Sequence, residues 1–194
     1  GHRPWPRVVL DQKGWRLLIE RLSVSEWQVM AEWAERDCIH AALRDEATGD
    51  VAVVSHHPAD RRFPALGNAR PAAIRIERAI HDVWGLAPVG LEDKRHWLDH
   101  GRWPNRMPLA PQPMGPAIEP DSYPFLRAEG EGLHQIPVGP VHAGVIEPGH
   151  FRFHCQGETV VRLEQRLGYQ HKGVEGLLCG APLDKAARIL ARCL

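Results

Sequence analysis

The sequence predicts an α+β protein in two modules: a domain with a mixed sheet and helices, then a small β-hairpin plus helix. Three observations predict it. Strand-like apolar runs intermix with a capped helical stretch in the first part of the chain. Prolines at 104, 108, 111, 113, 116, 120 and 124 then interrupt any regular element, and a second hairpin signal follows them. A proline run of this density should lie extended over a surface. The reading is therefore a domain over 1–103, a linker over 104–128 and a second module over 129–194.

In the first module, Arg7–Leu10 and Trp15–Ile19 read as strands, the second with Trp15, Leu17 and Ile19 on one face. A helical reading of 15–22 stays open. Ser23-Val24-Ser25-Glu26 has the form of a capping box and predicts a helix to about Arg36, with Trp27, Met30, Trp33 and Ala34 as an apolar stripe facing the core. Ile39–Leu43 and Val51–Ser55 flank Ala47-Thr48-Gly49-Asp50, a hairpin signal. Ala72–Trp84 is expected to begin as a strand and continue as a short helix ended by Gly85. In the second module, Val145-Ile146 and Phe151–Cys155 are strand-like, and the turn Gln156-Gly157-Glu158 leads into Thr159–Leu163. Asp184, after Pro182, is the expected N-cap of a last, amphipathic helix.

Composition removes several function classes. Lys+Arg and Asp+Glu both number 24, so no charge excess points to nucleic acid or an anionic membrane. No run of about 18 apolar residues could span a bilayer, and the first residues, Gly1-His2-Arg3-Pro4-Trp5-Pro6, have no apolar signal-peptide region. Cys38, Cys155, Cys179 and Cys193 form no Cys-x-x-Cys pair, which argues for ordinary reduced thiols and against a zinc or iron-sulfur site made by this chain alone. His96 and His100 are four apart but have no third ligand nearby in sequence, so no metal site is assigned. Gly130-Glu131-Gly132 does not extend to a dinucleotide-binding Gly-x-Gly-x-x-Gly.

Two segments carry candidate chemistry. In the first, Ile76–Leu86, the residues Glu77, Arg78 and Asp82 put opposite charges at helical spacing, either a local ion-pair network or simply a solvated helix face. The second holds Gly139-Pro140-Val141-His142 and Glu147-Pro148-Gly149-His150-Phe151-Arg152, followed by Gly168-Tyr169-Gln170-His171-Lys172-Gly173-Val174-Glu175. A carboxylate that is largely desolvated at a strand-to-turn position can relay protons near neutral pH, and Glu147 is the candidate. His142 and His171 also have a plain reading as hydrogen-bonded structural histidines.

The stretch from Glu77 through Gly85 and Gly90 to Arg95-His96 resembles the signature of the 30-kDa subunit family of respiratory NADH dehydrogenase, with His81 where an aromatic is usual. That resemblance implies that Glu77, Arg78 and Asp82 belong to a docking element between subunits. The three ordered elements of the second segment resemble the opening of the 49-kDa-subunit and nickel-iron hydrogenase large-subunit superfamily. The resemblance implies Glu147 as a proton gate and His150 as its hydrogen-bonded support. It also implies Arg152 near a cluster-bearing partner, and His142 and His171 as partner-facing.

Aligned on Arg152, Pro148 stands where the quinone-reducing branch has a histidine, which favours the hydrogen-evolving branch related to hydrogenase-4 and formate hydrogenlyase. Fusion of both modules in one chain also resembles that group. A nickel-iron centre needs four thiolates, from Arg-x-Cys-Gly-x-Cys and a later Cys-x-x-Cys, and neither element is present. The expectation is therefore a fragment of such a subunit, with Gly1 compatible with a tag remnant. No cofactor is expected in this chain alone. The nickel-iron centre would lie in the full-length enzyme and iron-sulfur clusters in partner subunits. The implied partners are an iron-sulfur small subunit and membrane subunits, holding the chain peripherally on the cytoplasmic face of the inner membrane. The alternatives are a subunit of NADH:quinone oxidoreductase and a non-catalytic interaction or assembly protein.

Overall fold

Strand β1 (Arg7–Leu10) leads directly into helix α1 (Gln12–Val24), where the sequence predicts a second strand. Two features decide for the helix. The Asp11 carboxylate accepts from Gly14 N–H at 2.7 Å, satisfying a free donor of the first turn. Trp15, Leu18, Ile19 and Leu22 then fall on one helical face against the core, while Leu17, the middle of the supposed alternation, is 53% exposed.

The expected helix to Arg36 is strand β2 (Gln28–Glu35), turning through Arg36-Asp37 into β3 (Cys38–Arg44) with Glu35 opposite Cys38. Ser23 does not cap. It lies in the last turn of α1, where its hydroxyl donates to the Ile19 carbonyl. Met30, part of the supposed core stripe, is 55% exposed, and a register shift beside it lets Val29 and Ala31 both pair with β3. Long-range pairing with β3 overrides the local helical spacing.

The β3–β4 hairpin, with β4 at Val51–His56, forms as predicted. Strand β4 also pairs in parallel with β1, giving a mixed sheet of order β1-β4-β3-β2. A two-stranded parallel pair, β5 (Arg62–Pro64) and β6 (Ala87–Val89), brackets helix α2 (Ile74–Trp84). Instead of beginning as a strand, this segment begins as a 3₁₀ turn over Pro71–Ala73, because proline suits a helix start and cannot donate to a ladder. Helix α2 does end at Gly85, whose left-handed φ of 68° places its N–H on the His81 carbonyl. A side chain there would also meet the Met107 sulfur at 2.8 Å. Trp15, Leu22, Ile39, Leu43, Phe63, Leu66, Ile80 and Leu86 form one core.

The computed structural model describes residues 5–117, 119, 124–141, 147–170 and 172–191. It divides into two compact units, Gly1–Pro124 and Phe125–Leu194. Part of the proline-rich stretch belongs to the first unit: Leu109 N–H donates to the Val83 carbonyl at 3.0 Å, and Arg106 bridges to Met114.

The second unit is an antiparallel sheet of β7 (Leu133–Val141), β8 (Gly149–Gln156) and β9 (Thr159–Arg166), followed by α3 (Val174–Leu178) and α4 (Leu183–Ala191). The sequence predicts the β8–β9 hairpin but not β7, whose Pro137 and Pro140 argue against a strand. An edge position removes the objection, since the missing N–H need not face a partner. Asp184 is not the cap of α4. It lies in the first turn and pairs with Arg188, four residues on, at 2.7 Å. Val145 and Ile146 lie outside the described residues.

Candidate functional site

In the first unit, Glu77, Arg78 and Asp82 are 0%, 5% and 2% exposed. They form neither a network among themselves nor a solvated face, because each side chain leaves the helix to bind the backbone of another segment. Glu77 accepts from Leu66 N–H at 2.5 Å and Gly67 N–H at 3.0 Å. A side chain at Gly67 would stand 2.7 Å from the Glu77 carboxylate, so only glycine permits this approach. Burial pushes the Glu77 carboxyl up to about 7 against the pull of those two N–H groups. Glu32 of β2 is buried nearby, and neither of its carboxylate oxygens has a hydrogen-bond partner among the described residues. Burial, reinforced by the Glu77 charge, raises it well above the usual carboxylate range.

Arg78 donates to the Arg95 and His96 carbonyls at 2.6 and 3.1 Å and to the Asp93 carboxylate at 3.0 Å. Arg95 binds the same carboxylate at 2.7 Å. Burial would raise Asp93, but Arg95 and Arg78 together hold it below its ordinary value. One turn along α2, the Asp82 Oδ2 atom accepts from the N–H groups of Trp97, Leu98 and Asp99 at 2.7, 2.7 and 3.2 Å. The other oxygen, Oδ1, faces His96 Nδ1 at 2.6 Å and His81 Nδ1 at 3.8 Å. Burial works to raise Asp82, yet the two imidazoles and the Leu98 and Asp99 N–H groups outweigh it and hold the carboxyl far below its usual range. The segment 93–99 is thus clamped onto α2 by Arg78 and Asp82. Sequence reasoning pairs His96 with His100, whereas the fold pairs it with His81 through Asp82, a relation that spacing does not carry.

In the second unit, the Glu147 carboxylate meets Lys172 Nζ at 2.5 Å, joining the Glu-Pro-Gly-His and Gly-Tyr-x-His-Lys elements. Desolvation of Glu147 is partial. Its side chain is 30% exposed because it stands at the mouth of β8, before the strand enters the sheet. Its backbone has φ 61°, a left-handed conformation uncommon outside glycine. His150 Nδ1 lies 3.3 Å from the Gly139 carbonyl, and its ring packs tilted against Phe125. Arg152 stacks its guanidinium over the Phe125 ring at 4.2 Å. His142 and His171 lie outside the described residues. A buried cluster that sequence reasoning misses supports the sheet. His154 Nε2 contacts Glu164 at 3.1 Å, Arg162 contacts His154 Nδ1 at 2.9 Å, and Glu164 accepts from Leu126 N–H at 3.1 Å. Its sequence signal is period-two placement of His154, Arg162 and Glu164 on facing positions of β8 and β9, with His154 opposite Arg162.

The described cysteines do not fit a four-thiolate metal centre. Cys38 and Cys155 are each buried in the sheet of their own unit and Cys179 is exposed. No described cysteine belongs to a group of three metal-binding side chains.

Comparison with known proteins finds subunits of hydrogenase and NADH-quinone oxidoreductase complexes. The chain is 40% identical to hydrogenase-4 component G of Escherichia coli (strain K12) over 124 residues, 60% of this chain and 22% of the relative. The chain is homologous to hydrogenase-4 and formate-hydrogenlyase subunits. Formate hydrogenlyase subunit 5 of the same organism is 35% identical over 123 residues, 59% of this chain and 22% of the relative. The C/D subunit of NADH-quinone oxidoreductase from Bacteroides fragilis (strain ATCC 25285) is 23% identical over 157 residues, covering 69% of the chain and 30% of the relative. The chain therefore spans about a fifth to a third of the length of these relatives. A solved trypsin-resistant fragment of Nqo5 is similar at 17% identity and a TM-score of 0.35, over 45% of this chain and 80% of the fragment. No protein-family model matches. Among the described residues, no helix is long and apolar enough to cross a membrane.

Proposed function

We propose that the chain is part of a subunit of a membrane-associated nickel-iron hydrogenase of the formate-hydrogenlyase type, supplying partner docking and a proton relay at Glu147. The observation that carries this reading is the Glu147–Lys172 pair. It brings two sequence elements 25 positions apart into one polar contact at the mouth of β8, in a chain 40% identical to a hydrogenase-4 component. Glu147 takes up and releases protons at the oxygen not paired with Lys172, and the pair at the other oxygen keeps the carboxylate oriented. His150, held to the Gly139 carbonyl, braces the same strand mouth against β7. Arg152 fixes Phe125, and Glu77, Arg78 and Asp82 act in docking indirectly, by shaping segment 93–99 as part of the surface offered to partners.

The partners in this reading are an iron-sulfur small subunit and membrane subunits, which hold the chain at the cytoplasmic face of the inner membrane. The nickel-iron centre lies on thiolates outside this chain and the iron-sulfur clusters in partner subunits. A second reading, a subunit of NADH:quinone oxidoreductase, is favoured by the similarity to the C/D subunits, which covers the larger share of the chain, 69%. Pro148 weighs against it.

The test is Glu147→Gln in the complete complex. Hydrogen turnover should be abolished while the partners still co-purify. Unchanged turnover would remove Glu147 from the mechanism, and quinone reduction without hydrogen turnover in the wild-type complex would favour the second reading.

A further inference from the structure

Asp82 has two oxygens with different tasks. Oδ2 is saturated by three backbone N–H groups, which hold the carboxylate in place. Oδ1 is shared by two imidazoles on different segments, His81 on α2 and His96 on the clamped loop. A hydrogen bond accounts for His96. It does not account for His81, whose Nδ1 is aimed at the same oxygen from 3.8 Å, beyond hydrogen-bond range. The three donor atoms lie within 4.8 Å of one another. Ligands at about 2.0–2.2 Å from a tetrahedral ion stand roughly 3.3–3.5 Å apart. The separations from Oδ1, 2.6 and 3.8 Å, bracket that value, and side-chain rotation has to bring the third pair, the two imidazoles, to it from within 4.8 Å.

We propose that His81, Asp82 and His96 form a site for a divalent transition-metal ion, with two imidazole nitrogens and one carboxylate oxygen as ligands. This donor set suits zinc or a neighbouring first-row ion, and does not suit magnesium or calcium, which take oxygen ligands. Binding needs the Nδ1 of each histidine unprotonated, so the His96 proton now shared with Asp82 leaves as the ion enters.

The surroundings bear on the remaining coordination position. His81 and Asp82 both line a cavity of about 270 Å³, together with Arg62, Arg78, Lys94 and Arg95. Asp93 pairs with both Arg78 and Arg95 and offsets one of their two charges, while the Asp82 carboxylate supplies the negative charge at the site itself. Arg62 and Lys94 remain at the exposed side of the cavity. Three protein ligands leave a fourth position open, and with cationic walls the exogenous ligand that fits there is an anion. The site is separate from Glu147 and does not depend on the hydrogenase reading.

The test is calorimetric titration of the full chain with zinc, with His81→Phe, His96→Gln and, as a control, His100→Gln. His81 is partly exposed, so His81→Phe should keep the fold, which circular dichroism checks. The wild type and the His100→Gln control should bind one zinc ion, and His81→Phe and His96→Gln should each weaken binding by at least about tenfold. Cobalt in place of zinc should give the intense visible absorption of four-coordinate cobalt, shifted by added azide if the open position accepts an anion. Zinc binding that survives both His81→Phe and His96→Gln, or a folded wild type that binds none, overturns the proposal.

Discussion

In the first unit, charged side chains of one helix are buried and bound to the backbone of distant segments. In the second, Glu147 and Lys172 pair at a half-exposed strand mouth. The same residue types therefore do different work. A carboxylate such as Asp82, surrounded by N–H groups and out of water, holds a loop and cannot leave its partners cheaply. A carboxylate with solvent on one side and one flexible lysine on the other can exchange protons without disturbing the fold. A motif rich in charge is a scaffold where it is buried and an available reactive group where it is not.

The largest effect that would break this contrast is at Asp82. Asp82→Ala strands three N–H groups and the His96 imidazole, and should cost about 3–5 kcal/mol by urea unfolding. A cost under about 1 kcal/mol would mean that segment 93–99 does not depend on the clamp. Gly67→Ala comes next. Its Cβ would stand 2.7 Å from the Glu77 carboxylate and 2.9 Å from Ile74, so roughly 1–3 kcal/mol should be lost, without a change in secondary structure by circular dichroism.

The pair Glu32 and Glu77 sharpens the contrast through pH. Both carboxyls sit above their unfolded values when folded, Glu77 at about 7 against an ordinary 4.5. Folding then takes up protons between those values. The stability these groups contribute is complete below the unfolded value and is lost as pH rises through the folded one. Glu32→Gln mimics the protonated acid and should stabilise the chain more at about pH 8 than at about pH 5, by roughly 1–3 kcal/mol. Equal effects at both pH values would place the proton elsewhere. The smallest stability change is expected at Glu147. Glu147→Gln should move the unfolding free energy by less than about 1 kcal/mol, because the pair is partly exposed. A large loss there would make Glu147 another scaffold residue and dissolve the distinction between the two units.

Local chemistry is legible wherever a residue acts on its own turn. The β3–β4 hairpin around Thr48-Gly49, the Gly85 helix end and the β8–β9 turn at Gly157 are readable because φ preference and alternation are short-range properties. Segments 15–22 and 26–36 mislead for one reason in both directions. Trp15, Leu17 and Ile19 satisfy a strand period as Trp27, Met30 and Trp33 satisfy a helical one, and the choice is made by Asp11 capping and by pairing with β3. The site residues Glu77, Arg78 and Asp82 are visible as a pattern, but their partners Leu66, Gly67 and 93–99 lie 10 to 18 positions away. Nothing in helical spacing announces those contacts.

By itself the sequence determined the α+β class, the turns and the similarity to hydrogenase-4 and formate-hydrogenlyase subunits. Only the tertiary structure decided which charges are buried, which histidines share the Asp82 oxygen and which carboxylate faces solvent. The physical reason is that burial and ion pairing depend on what the chain brings together in space, while turn chemistry depends on each residue and its immediate neighbours.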